Sequence, residues 1–201
     1  MAGVMTLLEM AGAQRRPAAL SQASVIIIDA QKEYDSGGLP LPDLAPRTAE
    51  IAKLLALARA RVSPVIHVRH LGEPGGLFDP QGEGSDFVAE AAPIPGETVI
   101  EKNLPNAFAG TGLETLIRSL GREELIVAGF MTHMCVSSSV RAAFDLGYAC
   151  TVIASATGTR PLPKVGDSEA VLAAETVQEA ALAGLADRFA TIARDVAALP
   201  D

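Results

Sequence analysis

The sequence predicts an α/β fold: a three-layer sandwich with helices covering both faces of a central, mainly parallel, six-stranded sheet. Three observations predict it. Short β-branched or apolar runs recur along the chain at 25–28, 65–70, 98–102, 125–130, 150–154 and 189–193. Between most of them lie stretches whose apolar residues repeat at helical spacing. That alternation calls for parallel strands joined by crossover helices. The runs are also continuous rather than alternating apolar and polar, as strands covered on both faces require.

The first run, VIII at 25–28, ends in Asp29-Ala30-Gln31, so the strand delivers a carboxylate at its carboxyl end. Ligands gather at that edge of open parallel sheets. Asp29 also suits a turn or helix cap. Residues 34–46 are a turn-rich loop with glycines and prolines, and 47–61 form a helix with Ile51, Leu54, Leu55 and Ala58 as its apolar stripe. The second strand, VIHVRH at 65–70, carries His67 and His70 three apart, on opposite faces. That is poor geometry for one metal, and a hydrogen-bonded structural role is expected for each. Residues 71–96 form a long Gly- and Pro-rich segment in which Leu77, Phe78 and Phe87 either line a pocket or pin the loop to the body.

The third strand, 98–102, ends in Lys102; a lone lysine there is usually solvated. A loop, NLPNAFAGT at 103–111, leads to a helix over 112–120. The fourth strand, LIVAGF at 125–130, runs into MTHMC and a helix over about 133–146, with Val136, Val140, Ala143 and Phe144 on one face. Cys135 thus falls in the first turn of a helix just past a strand. Free N–H groups and the helix dipole favour a thiolate there. Cys135 reads equally as a small buried hydrophobe. A polar turn region over 155–164, an Ala-rich helix over 168–186 and a last strand complete the chain.

The chain has 201 residues, which suits one compact domain, and nearly half of them are apolar, so a large core is available. A net charge of −8 spread along the chain argues against a nucleic-acid surface. Two cysteines fit a reducing compartment better than a disulfide scaffold, which points to the cytoplasm. No apolar run is long enough to span a membrane, and the start of the chain has the wrong charge order for a secretory signal. Residues 1–21 read as an extension with a short amphipathic helix at 5–11, packed on the domain or on a neighbouring subunit, and an extended lead-in over 15–21; residues 22–201 read as the domain. No G-x-G-x-x-G follows the first strand and no G-x-x-x-x-G-K-[ST] occurs, so no nucleotide cofactor is expected.

Asp29, Lys102 and Cys135 therefore arrive at the carboxyl ends of three strands. Together they make coherent chemistry: a carboxylate to take the thiol proton and a cation to hold both anions. The segments IIIDAQKEY, PVIHVRH, VIEKNLPNAFAGTGLETLI and VAGFMTHMCVSSSVRAAFDLGYACTVIASATGTR, in this order, resemble the isochorismatase-like cysteine hydrolases, which include nicotinamidase and N-carbamoylsarcosine amidase. The resemblance implies a catalytic triad at Asp29, Lys102 and Cys135. It also implies a non-proline cis peptide at Phe130–Met131 and an oxyanion hole from the N–H groups of Met131 and Cys135. It implies a small amide or carbamoyl substrate, cleaved at a C–N bond through a thioester, and a homodimer or higher homo-oligomer. Gln31, Asn106 and Phe78 are candidate substrate contacts, although Gln31 and Asn106 also suit turn stabilisation.

The sequence departs from parts of the family in three places. Isochorismatases proper lack the nucleophilic cysteine and cleave a vinyl ether, so Cys135 argues against that reaction. The D-x-H pattern of metal-dependent nicotinamidases is missing from 65–79, so no metal is expected. SATGTR at 155–160 lacks the acidic residue many members carry before the Ala. Two alternatives stand beside the hydrolase: a catalytically silent binding or assembly protein, and a thiol-redox protein, for which a C-x-x-C partner is missing.

Overall fold

The computed structural model describes residues 3–13 and 16–200. The central sheet has six strands, β1 (Ala23–Ile28), β2 (Val65–His70), β3 (Thr98–Lys102), β4 (Glu124–Phe130), β5 (Ala149–Gly158) and β8 (Ala190–Ala193), in the order β3-β2-β1-β4-β5-β8. Every pairing in it is parallel. Side chains alternate between faces, so Val25 and Ile27 of β1 enter one core while Ile26 and Ile28 enter the other. The first core is closed by α2 (Leu44–Ala60), whose Ile51, Leu54, Leu55 and Ala58 are fully buried as the stripe predicts. The second is closed by α3 (Leu113–Leu120), α4 (Ser137–Asp145) and α5 (Ala174–Arg188), through residues such as Leu113, Ile117, Val140, Ala143 and Leu185.

The amino-terminal helix α1 (Leu7–Met10) is shorter than expected, and its start is fixed by a reciprocal capping box between Thr6 and Glu9. Leu8 is buried, and the Leu7 N–H donates to Asp187 on α5, so α1 packs on its own domain. Met5, Leu7 and Met10 remain exposed. Of the lead-in expected over 15–21, Arg15 lies outside the described residues.

Two expectations fail after the fourth strand. Residues 155–158, expected as turn, continue β5, with a register shift opposite Val127/Gly129. The polar composition misled because Thr157 and Gly158 are buried beneath Arg47 rather than solvated. The Ala-rich helix begins at Ala174 and not at 168. The preceding residues form an antiparallel hairpin, β6 (Leu162–Lys164) with β7 (Asp167–Leu172), turning at Gly166 with φ +82°. Its strands pair with each other and lie outside the main sheet, so nothing in the α/β alternation foretells them.

The long segment 71–96 holds two short 3₁₀ turns, Glu83–Ser85 and Ala89–Ala91. Phe87 pins it by bridging to Gln31 and packing edge-on against His67. Glu97 anchors its far end: it pairs with Arg59 at 2.8 Å and His67 at 2.9 Å and accepts from the Ile94 N–H. Burial raises this carboxyl, but its hydrogen bonds prevail and hold it down at about 2. His67 is thus a buried structural histidine, held chiefly by the Glu97 carboxylate, with the Ala91 main chain as a weaker partner.

Candidate active site

The sheet order explains how three distant residues meet. β1 sits between β2 and β4, and β3 lies beyond β2. Asp29 follows β1 directly, with its main chain in the left-handed region at φ +49°, which Asp tolerates better than most residues. Lys102 closes β3, two strand spacings away, roughly 10 Å. The lysine stem and the Asp29 side chain cover that distance together. Laid across the end of β2, the stem brings Nζ to 2.7 Å from Asp29 Oδ2, with both side chains wholly buried.

Cys135 reaches the same place from the other side. β4 runs hard against β1: a Cβ on Gly129, whose φ is +116°, would lie 1.9 Å from the Ile28 carbonyl oxygen. The Phe130–Met131 peptide that follows is cis. Thr132–Val136 then form a π-helical turn, rather than a plain first helical turn, before α4 begins at Ser137. Such turns recur at functional sites. Cys135 is 7% exposed in this turn.

The electrostatics revise one expectation. Burial, followed by the charge of Asp29, pushes the Cys135 thiol up to about 12, and Lys102 opposes this without overcoming it. The helix start and the lysine therefore do not suffice for a resting thiolate: desolvation of the anion and the charge of Asp29 outweigh Lys102. Asp29 moves away from the usual carboxylate range: burial raises it to about 6, with Lys102 and the Cys135 thiol holding it from rising further. The resting site is a thiol beside a carboxylate that ionises near neutrality. Neither Asp29 oxygen has a fully aligned hydrogen bond, a looseness common before substrate arrives.

The remaining candidates divide. Phe78 is buried at the site with φ +55°, its ring edge-on to Tyr34 at 5.2 Å and to His70 at 5.0 Å. Its N–H donates to the buried carboxylate of Glu33, which ties the long segment to the loop after β1. Gln31 is fully buried, and its amide is committed to main chain: it accepts from the His70 N–H at 2.8 Å and donates to the carbonyls of His70 and Ser85 at 2.8 and 2.9 Å. Gln31 thus ties the loop after β1 to β2 and to the long segment, at partners far away in the chain rather than in its own turn. Asn106 accepts from the Phe108 N–H at 2.9 Å, which does stabilise its own turn.

Sequence reasoning gave His70 a hydrogen-bonded structural role but missed its partner. Its Nδ1 lies 3.1 Å from Lys102 Nζ, because β2 and β3 pair in a register that sets His70 opposite Lys102. Only that register, a long-range fact, brings the two together. Burial and then the Lys102 charge push its imidazole down to about 4, so it is neutral near pH 7. His133, beside Cys135 in sequence, turns away to Thr159.

The same arrangement of strands occurs in known proteins. The family model for the isochorismatase domain matches residues 23–195. The chain belongs to the isochorismatase family of hydrolases. A solved isochorismatase structure from Pseudomonas putida KT2440 superposes with a TM-score of 0.93 at 45% identity, covering 98% of this chain and 100% of that one. An isochorismatase family protein, YddQ of Bacillus subtilis, is 36% identical over 84% of this chain and 94% of its own length. A more distant relative is the ureidoacrylate amidohydrolase RutB of Pseudomonas syringae, 27% identical over 68% of this chain and 70% of its own length. Among the described residues, no group of three or more His, Cys, Asp and Glu side chains is placed to hold a metal ion, and no helix is long and apolar enough to cross a membrane.

Proposed function

We propose that this family member hydrolyses a C–N bond of a small amide or carbamoyl compound through a thioester on Cys135. The observation that carries the reading is the buried meeting of Asp29, Lys102 and Cys135, with the carboxyl raised to about 6 next to an un-ionised thiol. A carboxylate that ionises near working pH is a fitting base for a thiol that does not ionise alone. The amidohydrolase among the relatives supports the bond type.

In this reading, Asp29 takes the thiol proton as sulfur attacks the carbonyl carbon. The oxyanion of the tetrahedral intermediate is met by the N–H groups of Met131 and Cys135, a type of contact worth about 10²–10³ in rate per donor. Asp29 gives its proton to the departing amine, and the C–N bond breaks. Water then attacks the thioester, losing its proton to Asp29, and the C–S bond breaks to release the acid. The proton on Asp29 returns to sulfur. Lys102 stays cationic throughout, orienting the carboxylate and balancing the anion that appears on sulfur or oxygen. Phe78 packs against Tyr34 and His70 beside the triad, while Gln31 and Glu33 hold the loops around it.

The test is amine and ammonia release across a panel of small primary amides and carbamoyl compounds, with Cys135→Ala as control. Release that depends on Cys135 supports the reading. Cleavage of a vinyl ether with no amide turned over, or full activity in Cys135→Ala, overturns it.

A further inference from the structure

We propose that His70 is a positioning residue for Lys102: its Nδ1 accepts one N–H of the ammonium, fixing the direction of the other two toward Asp29 and Cys135. The inference rests on the hydrolase reading and adds a fourth member to the triad.

A lysine ammonium has three N–H bonds and no acceptor. Lys102 Nζ has three neighbours: Asp29 Oδ2 at 2.7 Å, His70 Nδ1 at 3.1 Å, and the Cys135 thiol, whose ionisation it influences directly. Lys102 is 3% exposed, so an N–H without a partner here would be a desolvated, unpaired donor. Lysine also reaches Asp29 only by crossing the end of β2, the strand on which His70 sits. A flexible stem over that span needs a contact at its tip to hold the head in one place.

The surroundings of His70 are built for this task. Gln31 grips its main chain from both sides, at N–H and carbonyl, in the manner of an added strand. Phe78 packs edge-on against the ring at 5.0 Å, fixing the imidazole plane. The charged group that meets the ring is Lys102, and it approaches from β3. Since lysine can only donate, Nδ1 must be the acceptor, and the neutral ring carries its proton on Nε2. A protonated ring would lose the acceptor and set two cations together. Gln31, expected from sequence to touch substrate, thereby acquires a role two steps removed: it holds His70, which holds Lys102.

Two measurements test this. The first uses unmodified protein: ¹⁵N NMR of the His70 imidazole at pH 7 should show the Nε2–H tautomer with Nδ1 as a hydrogen-bonded acceptor. An Nδ1–H tautomer, or an imidazolium, overturns the inference whether or not any variant folds. The second is the pH dependence of Cys135 labelling by iodoacetamide, followed by peptide mass. In the wild type labelling should rise as Asp29 ionises near pH 6. His70→Phe keeps the ring but removes the acceptor. It should label on the order of tenfold more slowly and shift the midpoint upward by roughly half a unit or more, because a wandering Lys102 holds Asp29 down less. His70→Asn, which offers a carbonyl oxygen near the place of Nδ1, should stay within about threefold of wild type. A His70→Phe profile matching a normally labelled wild type overturns this inference alone, as does equal loss in the Phe and Asn variants. A wild type in which Cys135 is not labelled overturns the hydrolase reading and this inference with it.

Discussion

Asp29→Asn should change not only turnover but the shape of the stability profile. The Asp29 carboxyl ionises near 3.8 when exposed and near about 6 in the fold, chiefly because burial disfavours its anion. The fold thus binds the Asp29 proton more tightly than the unfolded chain does. The associated stability is fully present below pH 3.8 and is lost as pH rises through about 6. A shift of about two units at about 1.36 kcal/mol each amounts to roughly 3 kcal/mol, most of it spent between about pH 4 and pH 7. The asparagine amide cannot ionise, so the variant lacks this term. The absolute stability of Asp29→Asn also reflects Lys102 losing its counter-ion, but that cost is not the diagnostic. The difference in unfolding free energy, variant minus wild type, should move in the variant's favour by about 2 kcal/mol from about pH 4 to pH 7. Urea unfolding of both proteins at several pH values measures it. A flat difference, or one moving the opposite way, refutes the claim that Asp29 is a buried carboxyl with a raised pKa, and with it the reason for calling Asp29 the base.

Other expectations follow from the same geometry. Lys102→Met leaves Asp29 buried without its cation and should destabilise by about 3–5 kcal/mol at about pH 8, with a smaller loss at about pH 5, where Asp29 can stay protonated; calorimetry at the two pH values reads it. Gly129→Ala drives a Cβ into the Ile28 carbonyl and should cost more than about 4 kcal/mol, seen as loss of soluble protein or a collapsed melting temperature. Glu97→Gln should destabilise by about 1–3 kcal/mol near neutral pH by releasing Arg59 and His67, which urea unfolding measures. Because the Glu97 carboxyl is held at about 2, that difference should be fully present above about pH 4.5 and shrink as pH falls toward 2.

Much of the site was legible in the sequence because the sheet is parallel. A β-branched run that ends in Asp, and another that ends in Lys, place those groups at one edge as soon as the strands are known to run the same way. Cys135 was legible for the same reason. What failed was local. The run SEAVL at 168–172 has helix-forming composition, yet it pairs with 162–164 as a hairpin. SATG at 155–158 looks like a turn, yet its backbone continues β5. The partner of His70 was missed because its meeting with Lys102 depends on strand register and not on spacing along the chain. The state of Cys135 stayed open between a thiolate and a buried thiol because a helix terminus is visible in sequence, whereas the depth of burial around a thiol is not.

The central claim is that Cys135 becomes covalently acylated with Asp29 as its base. Rapid acid quench during turnover of an amide found in the panel, followed by peptide mass analysis, tests it most directly. The account predicts an added acyl mass on the peptide carrying Cys135, absent in Cys135→Ser and absent or greatly reduced in Asp29→Asn. An acyl group on another residue, or turnover at the wild-type rate in Cys135→Ser with no adduct, would contradict it.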